Sequence, residues 1–225
     1  MSMPYYVSPE QMMQDRADYA RKGIARGRSL IALQYDQGIV LVAENPSSTL
    51  RKISEIYDRI AFAGVGKYSE FDQLRVAGVR AADLKGYQFS RQDVDARSLA
   101  NQYAQLIANT FTHEVKPLEI EILVVEVGVT QATDRLYRIM YDGTVLDEER
   151  CAVIGGESDD MKTRTAAANP SDGLGLAIQN AVSALSGQSR TLGARDLEVA
   201  VLERGAPRRC FRRLPDDVVA NHLSA

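Results

Sequence analysis

Residues 51–66 read RKISEIYDRIAFAGVG, two apolar runs separated by a short polar break. Short runs rich in Ile, Val, Phe and Tyr around such a break are typical of two neighbouring strands. A similar pattern comes before them, because SLIALQY at 29–35 and IVLVAEN at 39–45 flank the turn residues DQG at 36–38. The first third of the chain is therefore predicted to form two strand pairs, the earlier one a β-hairpin with largely apolar strands.

The segment after residue 66 changes to helical periodicity, which predicts two antiparallel helices. The second of them, over 94–113, carries two adjacent apolar stripes, so it presents an apolar arc wide enough to contact both a sheet and a neighbouring helix. The predicted stripes are Phe71, Leu74, Gly78 and Ala81 in the first helix, and Leu99, Tyr103, Leu106 and Thr110 beside Ala100, Ala104, Ile107 and Phe111 in the second.

The rest of the chain repeats the order of strands followed by a helix pair and then strands. Strand blocks separated by helix pairs predict two packed sheets with helices on both outer faces, an α+β four-layer αββα sandwich. No internal repeat or linker divides the chain, so we expect a single domain over 1–225. The later predicted strands are 118–127, 135–141, 144–149, 150–156, 197–203 and 208–214; the later helices are 158–168, one following Pro170 and Ser171, and a short polar one at the end.

An amphipathic helix is predicted ahead of the first strand, within residues 8–27. Ser8 suits the N-cap, Pro9 the first helical position and Glu10 the first turn. Residues 1–7 precede this helix and are short, apolar and aromatic. Its predicted buried stripe is Met13, Ala17, Ala20 and Ile24.

Composition limits the chemistry that the chain can perform. Its 225 residues include two His, two Cys and no Trp, which leaves little material for a multi-histidine metal site, a zinc ribbon or a disulfide framework. The formal charge of −3 gives no polycationic character for binding nucleic acid or an anionic membrane. We expect no metal and no cofactor, reduced thiols at Cys151 and Cys210, and, without a signal or membrane-spanning segment, a cytoplasmic location.

Two segments could be taken for phosphate-binding elements. AFAGVGKY at 61–68 follows a strand and precedes a helix, but Ala61 replaces the first glycine of a P-loop and Tyr68 replaces its Ser or Thr hydroxyl. We interpret it as a tight strand-to-helix turn. Five arginines crowd residues 204–213, and with an acidic chain overall we interpret them as an exposed hairpin face whose charges meet acidic neighbours.

The order of segments resembles that of proteasome α subunits, specifically the actinobacterial kind. The resemblance extends over essentially the whole chain. It implies the αββα fold of N-terminal-nucleophile hydrolases, homo-heptameric α rings that cap catalytic β rings, and a gated chamber in which unfolded proteins are degraded. The segments that carry it are Ser8-Pro9, Tyr19-Ala20-Arg21, Gly23 and Gly27, RKISEIYDRIAFAGVG, the helix pair, VKPLEIEILVVEVG, YDGT and AVIGG.

The resemblance raises the question of catalysis. Catalytic β-type subunits begin strand 1 with an N-terminal Thr, whose hydroxyl is the nucleophile and whose free amine is the base. Here Gly27, Arg28 and Ser29 stand before strand 1, with a well-capped helix upstream. We therefore expect no catalytic residue. The alternatives are an amidohydrolase autoprocessed between Arg28 and Ser29, and a ring-forming binding protein unrelated to proteolysis.

Lys52 falls where α subunits resemble one another in carrying the pocket lysine for the C-terminal carboxylate of a ring ATPase activator. Without the resemblance, an exposed strand-end lysine, paired with Glu55 or unpaired, would be the simpler interpretation. The resemblance also implies a pore gate before the helix, with Ser8 and Pro9 setting the turn into it. The Tyr-Asp-Arg triplet found there in archaeal and eukaryotic relatives is missing. The implied gate residues are Met1, Ser2, Met3, Pro4, Tyr5, Tyr6 and Val7.

Overall fold

Ten strands form two antiparallel five-stranded sheets in the computed structural model, which describes residues 8–224. The predicted gate, residues 1–7, lies outside the described residues. The strands are β1 (Leu30–Tyr35), β2 (Gly38–Glu44), β3 (Ile53–Tyr57), β4 (Ile60–Gly66), β5 (Ile120–Glu126), β6 (Arg135–Ile139), β7 (Val145–Glu148), β8 (Cys151–Ile154), β9 (Leu197–Glu203) and β10 (Phe211–Leu214). The first sheet has the order β10-β9-β2-β1-β8 and the second the order β3-β4-β5-β6-β7.

Helices cover the outer face of each sheet. Helices α2 and α3 pack on the second sheet, and α4 and α5 pack on the first, with α6 against α5. This arrangement confirms the predicted αββα sandwich. The helices are α1 (Pro9–Ala25), α2 (Tyr68–Gln88), α3 (Ala96–His113), α4 (Ser158–Arg164), α5 (Leu174–Ser186) and α6 (Asp216–Ser224).

Strand β2 shows why the central strands are apolar on both faces. Its alternate residues Ile39 and Leu41 lie in the core between the sheets, whereas Val40 and Val42 lie in the core beneath α5. Successive side chains of a strand point to opposite faces, so a strand covered on both sides needs apolar residues throughout. All seven residues of β2 are buried.

Helix α1 begins where the sequence predicts and closes one end of the inter-sheet core. The Ser8 hydroxyl accepts a hydrogen bond from the backbone N–H of Gln11 at 3.2 Å, and Pro9 occupies the first turn. Ala20 and Ile24 are buried with residues of both sheets. The helix ahead of strand 1 is therefore an integral part of the folded domain.

Some positions of the helix stripes are less buried than predicted. Ala82 is fully buried against the sheet while Ala81 is only partly buried there, because the stripe advances by four residues after Gly78 instead of three. Met13 in α1 is likewise only half-buried. Leu106 in α3 is 50% exposed, so the apolar arc of that helix is narrower than predicted. Gly78 is required where the two helices meet, since a Cβ there would lie 1.6 Å from the Tyr103 hydroxyl.

Buried carboxylates connect the two sheets. Glu121 on β5 accepts a hydrogen bond from the backbone N–H of Gly155, just after β8, at 2.9 Å. Asp134, at the start of β6, binds the Arg204 guanidinium beyond β9 at 2.9 and 3.0 Å. A third carboxylate, Glu198 on β9, reaches the start of β3. Each carboxylate is held by several donors, as burial of a charge requires.

The five arginines of residues 204–213 each meet an acidic side chain, as predicted. Arg204 departs from the predicted exposed face, because its side chain is only 16% exposed and its carboxylate partner is fully buried. The pairs are Arg204 with Asp134, Arg208 with Asp58, Arg209 with Glu55, Arg212 with Glu203 and Arg213 with Glu198.

Cys151 and Cys210 are both free thiols, and burial raises the pKa of each. Each helix that lies between residues 8 and 224 is too short or too polar to span a bilayer. Over the same part of the chain, no three His, Cys, Asp or Glu side chains come together in a way that could hold a metal ion.

Candidate functional site

Lys52 lies immediately before β3 and is partly buried rather than extended into solvent. Its Nζ donates a hydrogen bond to the backbone carbonyl of Arg28 at 2.5 Å, and its backbone N–H donates to Glu198 Oε2 at 2.8 Å. The simple surface interpretation is wrong in its partner as well, because Glu55 is bound by Arg209 at 2.7 Å. The structure therefore places Lys52 at the junction of the two sheets.

The surroundings of Lys52 bring the pKa of its ammonium group close to neutral pH. Burial lowers the pKa of the Lys52 ammonium to about 8, because a buried charge loses hydration. The carboxylate of Glu44 acts in the opposite direction, the Arg28 guanidinium lowers the pKa further, and Glu198 raises it. Lys52 is thus mostly protonated at pH 7 and titrates just above it.

A cleft of about 660 Å³ opens beside Arg28. Its walls are the connection from α1 to β1, the start of α4 and the loop at residues 187–190 after α5. Buried Glu44 is bound in the cleft by Arg28 Nη1 at 2.6 Å and by Arg190 Nη1 at 3.0 Å. The guanidinium groups that line the cleft outnumber its carboxylates, which suits an anionic ligand. The charged lining residues are Arg26, Arg28, Arg164 and Arg190 with Glu44 and Glu157.

Arg28 connects this cleft with Lys52. Its guanidinium lies in the cleft and its carbonyl oxygen accepts the Lys52 hydrogen bond. A ligand carboxylate that displaced the carbonyl from Nζ would exchange a neutral acceptor for a charged one, which is the stronger partner. Lys52 itself does not line the cleft, so its connection to the cleft runs through Arg28.

Ser29, the alternative nucleophile, follows the Arg28–Ser29 peptide bond, and the carbonyl groups of both residues are hydrogen-bonded within the fold. Its carbonyl accepts the backbone N–H of Glu44 at 3.1 Å, and the carbonyl of the Arg28–Ser29 bond is the group held by Lys52. Upstream, Ala20 and Ile24 anchor α1 in the core. In the intact chain Ser29 therefore has no free amine to act as a base.

Comparison with known proteins decides the family. The family model described as proteasome subunit matches residues 24–190. The chain is 61% identical to the proteasome subunit alpha of Acidimicrobium ferrooxidans, covering 99% of this chain and 97% of the relative. The chain belongs to the proteasome α subunits. Further proteasome α subunits match over 100% of this chain: that of Sanguibacter keddieii is 54% identical with 91% of its length covered, and that of Kineococcus radiotolerans 50% with 99%.

Membership of the proteasome α subunits confirms the resemblance on which the site was predicted. It makes the chain a subunit of a protease complex. Among the predicted site residues, the structure places Ser8 and Pro9 at the start of α1 and Lys52 against the carbonyl of Arg28, a residue that lines the cleft. Residues 1–7 lie outside the described range.

Sequence reasoning missed the residues that surround Lys52 in this proteasome α subunit. Glu44 and Glu198 come from other segments of the chain, so no local pattern connects them with residue 52. Glu198 does carry one signal, because LEVAVLE places a charge inside an otherwise apolar strand. A charge at such a position is retained only where it is hydrogen-bonded or paired.

Proposed function

We propose that the chain is the non-catalytic subunit of homo-heptameric outer rings in a cytoplasmic proteasome core, where it stands above catalytic β rings and serves the degradation of unfolded proteins. The observation that carries this proposal is the position of α1. A helix buried through Ala20 and Ile24 precedes strand 1, whereas N-terminal nucleophile chemistry needs a free residue there. The chain then contributes walls, a gate and a docking surface, and requires no cofactor.

The docking part of the proposal assigns Lys52 to the C-terminal carboxylate of a ring ATPase. It is supported by a partly buried ammonium beside a cleft with excess positive charge. A partly desolvated ammonium–carboxylate pair contributes roughly 1.5 to 3 kcal/mol, which is weak for one contact. Seven contacts around one ring become strong together, since each tail that binds raises the effective concentration of the others.

The gating part assigns residues 1–7 to closure of the pore on the ring axis. It is supported by the apolar, aromatic composition of this segment and by the start of α1. The cap at Ser8 and the fixed φ of Pro9 set the direction in which the preceding chain leaves the helix. Seven such segments would approach one another around a ring axis.

Docking is tested by Lys52→Ala in the core assembled with its β subunits. We expect normal particle size and peptidase activity, with loss of binding of the source organism's ring ATPase. Lys162→Ala is the matched control, because Lys162 is a half-exposed lysine that pairs with Glu148 and lines a different cavity. Wild-type binding by the Lys52→Ala core would remove Lys52 from the site.

The autoprocessing alternative is tested by the intact mass of the purified chain from the assembled core. Retention of residues before Ser29 supports the non-catalytic assignment. A chain that starts at Ser29 would overturn it.

A further inference from the structure

Glu198 is a buried charge at the second position of β9, 3% exposed and flanked by apolar residues. Its carboxylate accepts hydrogen bonds from Asn45 Nδ2 at 2.7 Å and from the backbone N–H groups of Lys52 at 2.8 Å and Ile53 at 3.3 Å. The Arg213 guanidinium completes the set. Two of the four donors therefore come from Lys52 and the residue after it.

These bonds occur where the second sheet has no further strand. Strand β3 lies at the edge of that sheet and pairs only with β4. The carbonyl oxygen of Lys52, just before β3, accepts a hydrogen bond from the N–H of Gly64 on β4 at 3.1 Å. The Lys52 N–H is satisfied by Glu198 of the other sheet instead. The Asn45 amide also donates to the carbonyl of Leu50 at 2.8 Å, so the same cluster holds the loop that leads to Lys52.

Glu198 also acts on the charge of the Lys52 ammonium. Burial and Arg28 favour its neutral form, whereas Glu44 and Glu198 favour the charged form. Arg190 and Arg28 bind Glu44, and Arg213 binds Glu198, so each carboxylate that faces Lys52 is itself partly neutralised. Removing the Glu198 carboxylate should therefore shift the Lys52 titration to lower pH.

We propose that Glu198 is a positioning residue for the Lys52 docking site, because it fixes the backbone from which Lys52 projects toward a carboxylate ligand. This inference rests on the proposed docking function. Glu198 lies 146 positions from Lys52 in the chain and would act on the site without contacting the ligand.

The test uses Glu198→Gln in the assembled core, with Glu203→Gln as the matched control. Both residues lie on β9 and both bind an arginine, but Glu203 has no contact with Lys52. Trace acetylation of Lys52 with acetic anhydride, followed across pH by mass spectrometry, measures its titration directly. We expect Glu198→Gln to move that titration to lower pH and to weaken ring ATPase docking about three- to tenfold at pH 7.5, and Glu203→Gln to change neither.

A second variant keeps the inference testable if Glu198→Gln prevents ring assembly. Arg213→Gln removes the guanidinium that binds both Glu198 and the backbone carbonyl of Ile53, and we expect it to weaken ring ATPase docking. Unchanged titration and docking in Glu198→Gln, or wild-type docking by Arg213→Gln where Glu198→Gln does not assemble, would overturn the positioning role while leaving Lys52 docking intact. Wild-type docking by Lys52→Ala would instead overturn the docking function itself.

Discussion

At the scale of single residues, the proposed site depends on one lysine whose charge is balanced by neighbours from distant segments. Lys52 receives opposing influences from burial, from Arg28, and from the carboxylates of Glu44 and Glu198. A lysine whose pKa is lowered to about 8 loses its charge within the range in which proteins are handled. Docking through this residue should therefore depend on pH.

Docking of the ring ATPase is expected to weaken as pH rises from 7 to 9. The charged form of Lys52 binds the carboxylate, and that form is depleted as pH passes about 8. Lys52→Arg supplies a cation that remains protonated throughout this range, so any docking it retains should be flat with pH. Binding measured at constant ionic strength tests this, and an equally steep pH profile in Lys52→Arg would assign the dependence to another group.

The same lowered pKa has a consequence for folding. Between pH 8 and the ordinary lysine pKa of 10.5, the unfolded chain holds the Lys52 proton more than the folded chain does. Stability contributed by this residue therefore rises with pH across that window, in the direction opposite to docking. Loss of docking at high pH would therefore not reflect a loss of stability at Lys52.

At the scale of elements, the turn between β9 and β10 shows that similar arginines have different roles. Arg204 is nearly buried and holds the fully buried Asp134, whereas Arg209 is 70% exposed and pairs with Glu55 at the surface. Local sequence cannot separate them, because both lie in one basic cluster. The difference comes from the sheet opposite, where Asp134 enters from β6.

Arg204→Ala is expected to lower the free energy of unfolding by about 3 to 5 kcal/mol, since it leaves a buried carboxylate without its cation. Arg209→Ala is the matched control and should cost less than about 1 kcal/mol, because solvent screens its ion pair. Chemical denaturation of the two variants measures the difference. Equal losses would show that the burial of Asp134 does not set the cost.

The sequence predicts features set by a local pattern better than contacts between distant segments. Periodicity located the strands and helices, because both faces of the central strands and one face of each helix had to be apolar. It overestimated the burial of Ala81, where the stripe advances by four residues, and of Leu106, whose surroundings depend on how α3 lies. Lys52 was predicted through the family resemblance. Its partners Glu44 and Glu198 were not, because strand pairing between distant segments brings them together.

At the scale of the whole molecule, α1 connects the gate proposed at residues 1–7 with the core. The helix is fixed by its cap at Ser8 and by burial of Ile24 between the sheets. A change ahead of Ser8 should therefore leave the fold and the ring intact. This separation makes the gate testable without the risk of unfolding.

Deletion of residues 2–7 is expected to raise hydrolysis of a fluorogenic peptide by the assembled core, because entry rather than chemistry would limit the closed particle. The particle size should be unchanged. The rate should then respond little to the ring ATPase, since the entry step has been removed.

A core that also carries Lys52→Ala separates the two functions: the deletion should still accelerate hydrolysis there, although docking is lost. Unchanged hydrolysis in both deleted cores would count against a gate formed by these residues, and acceleration confined to the core with intact Lys52 would mean that the segment acts only through docking.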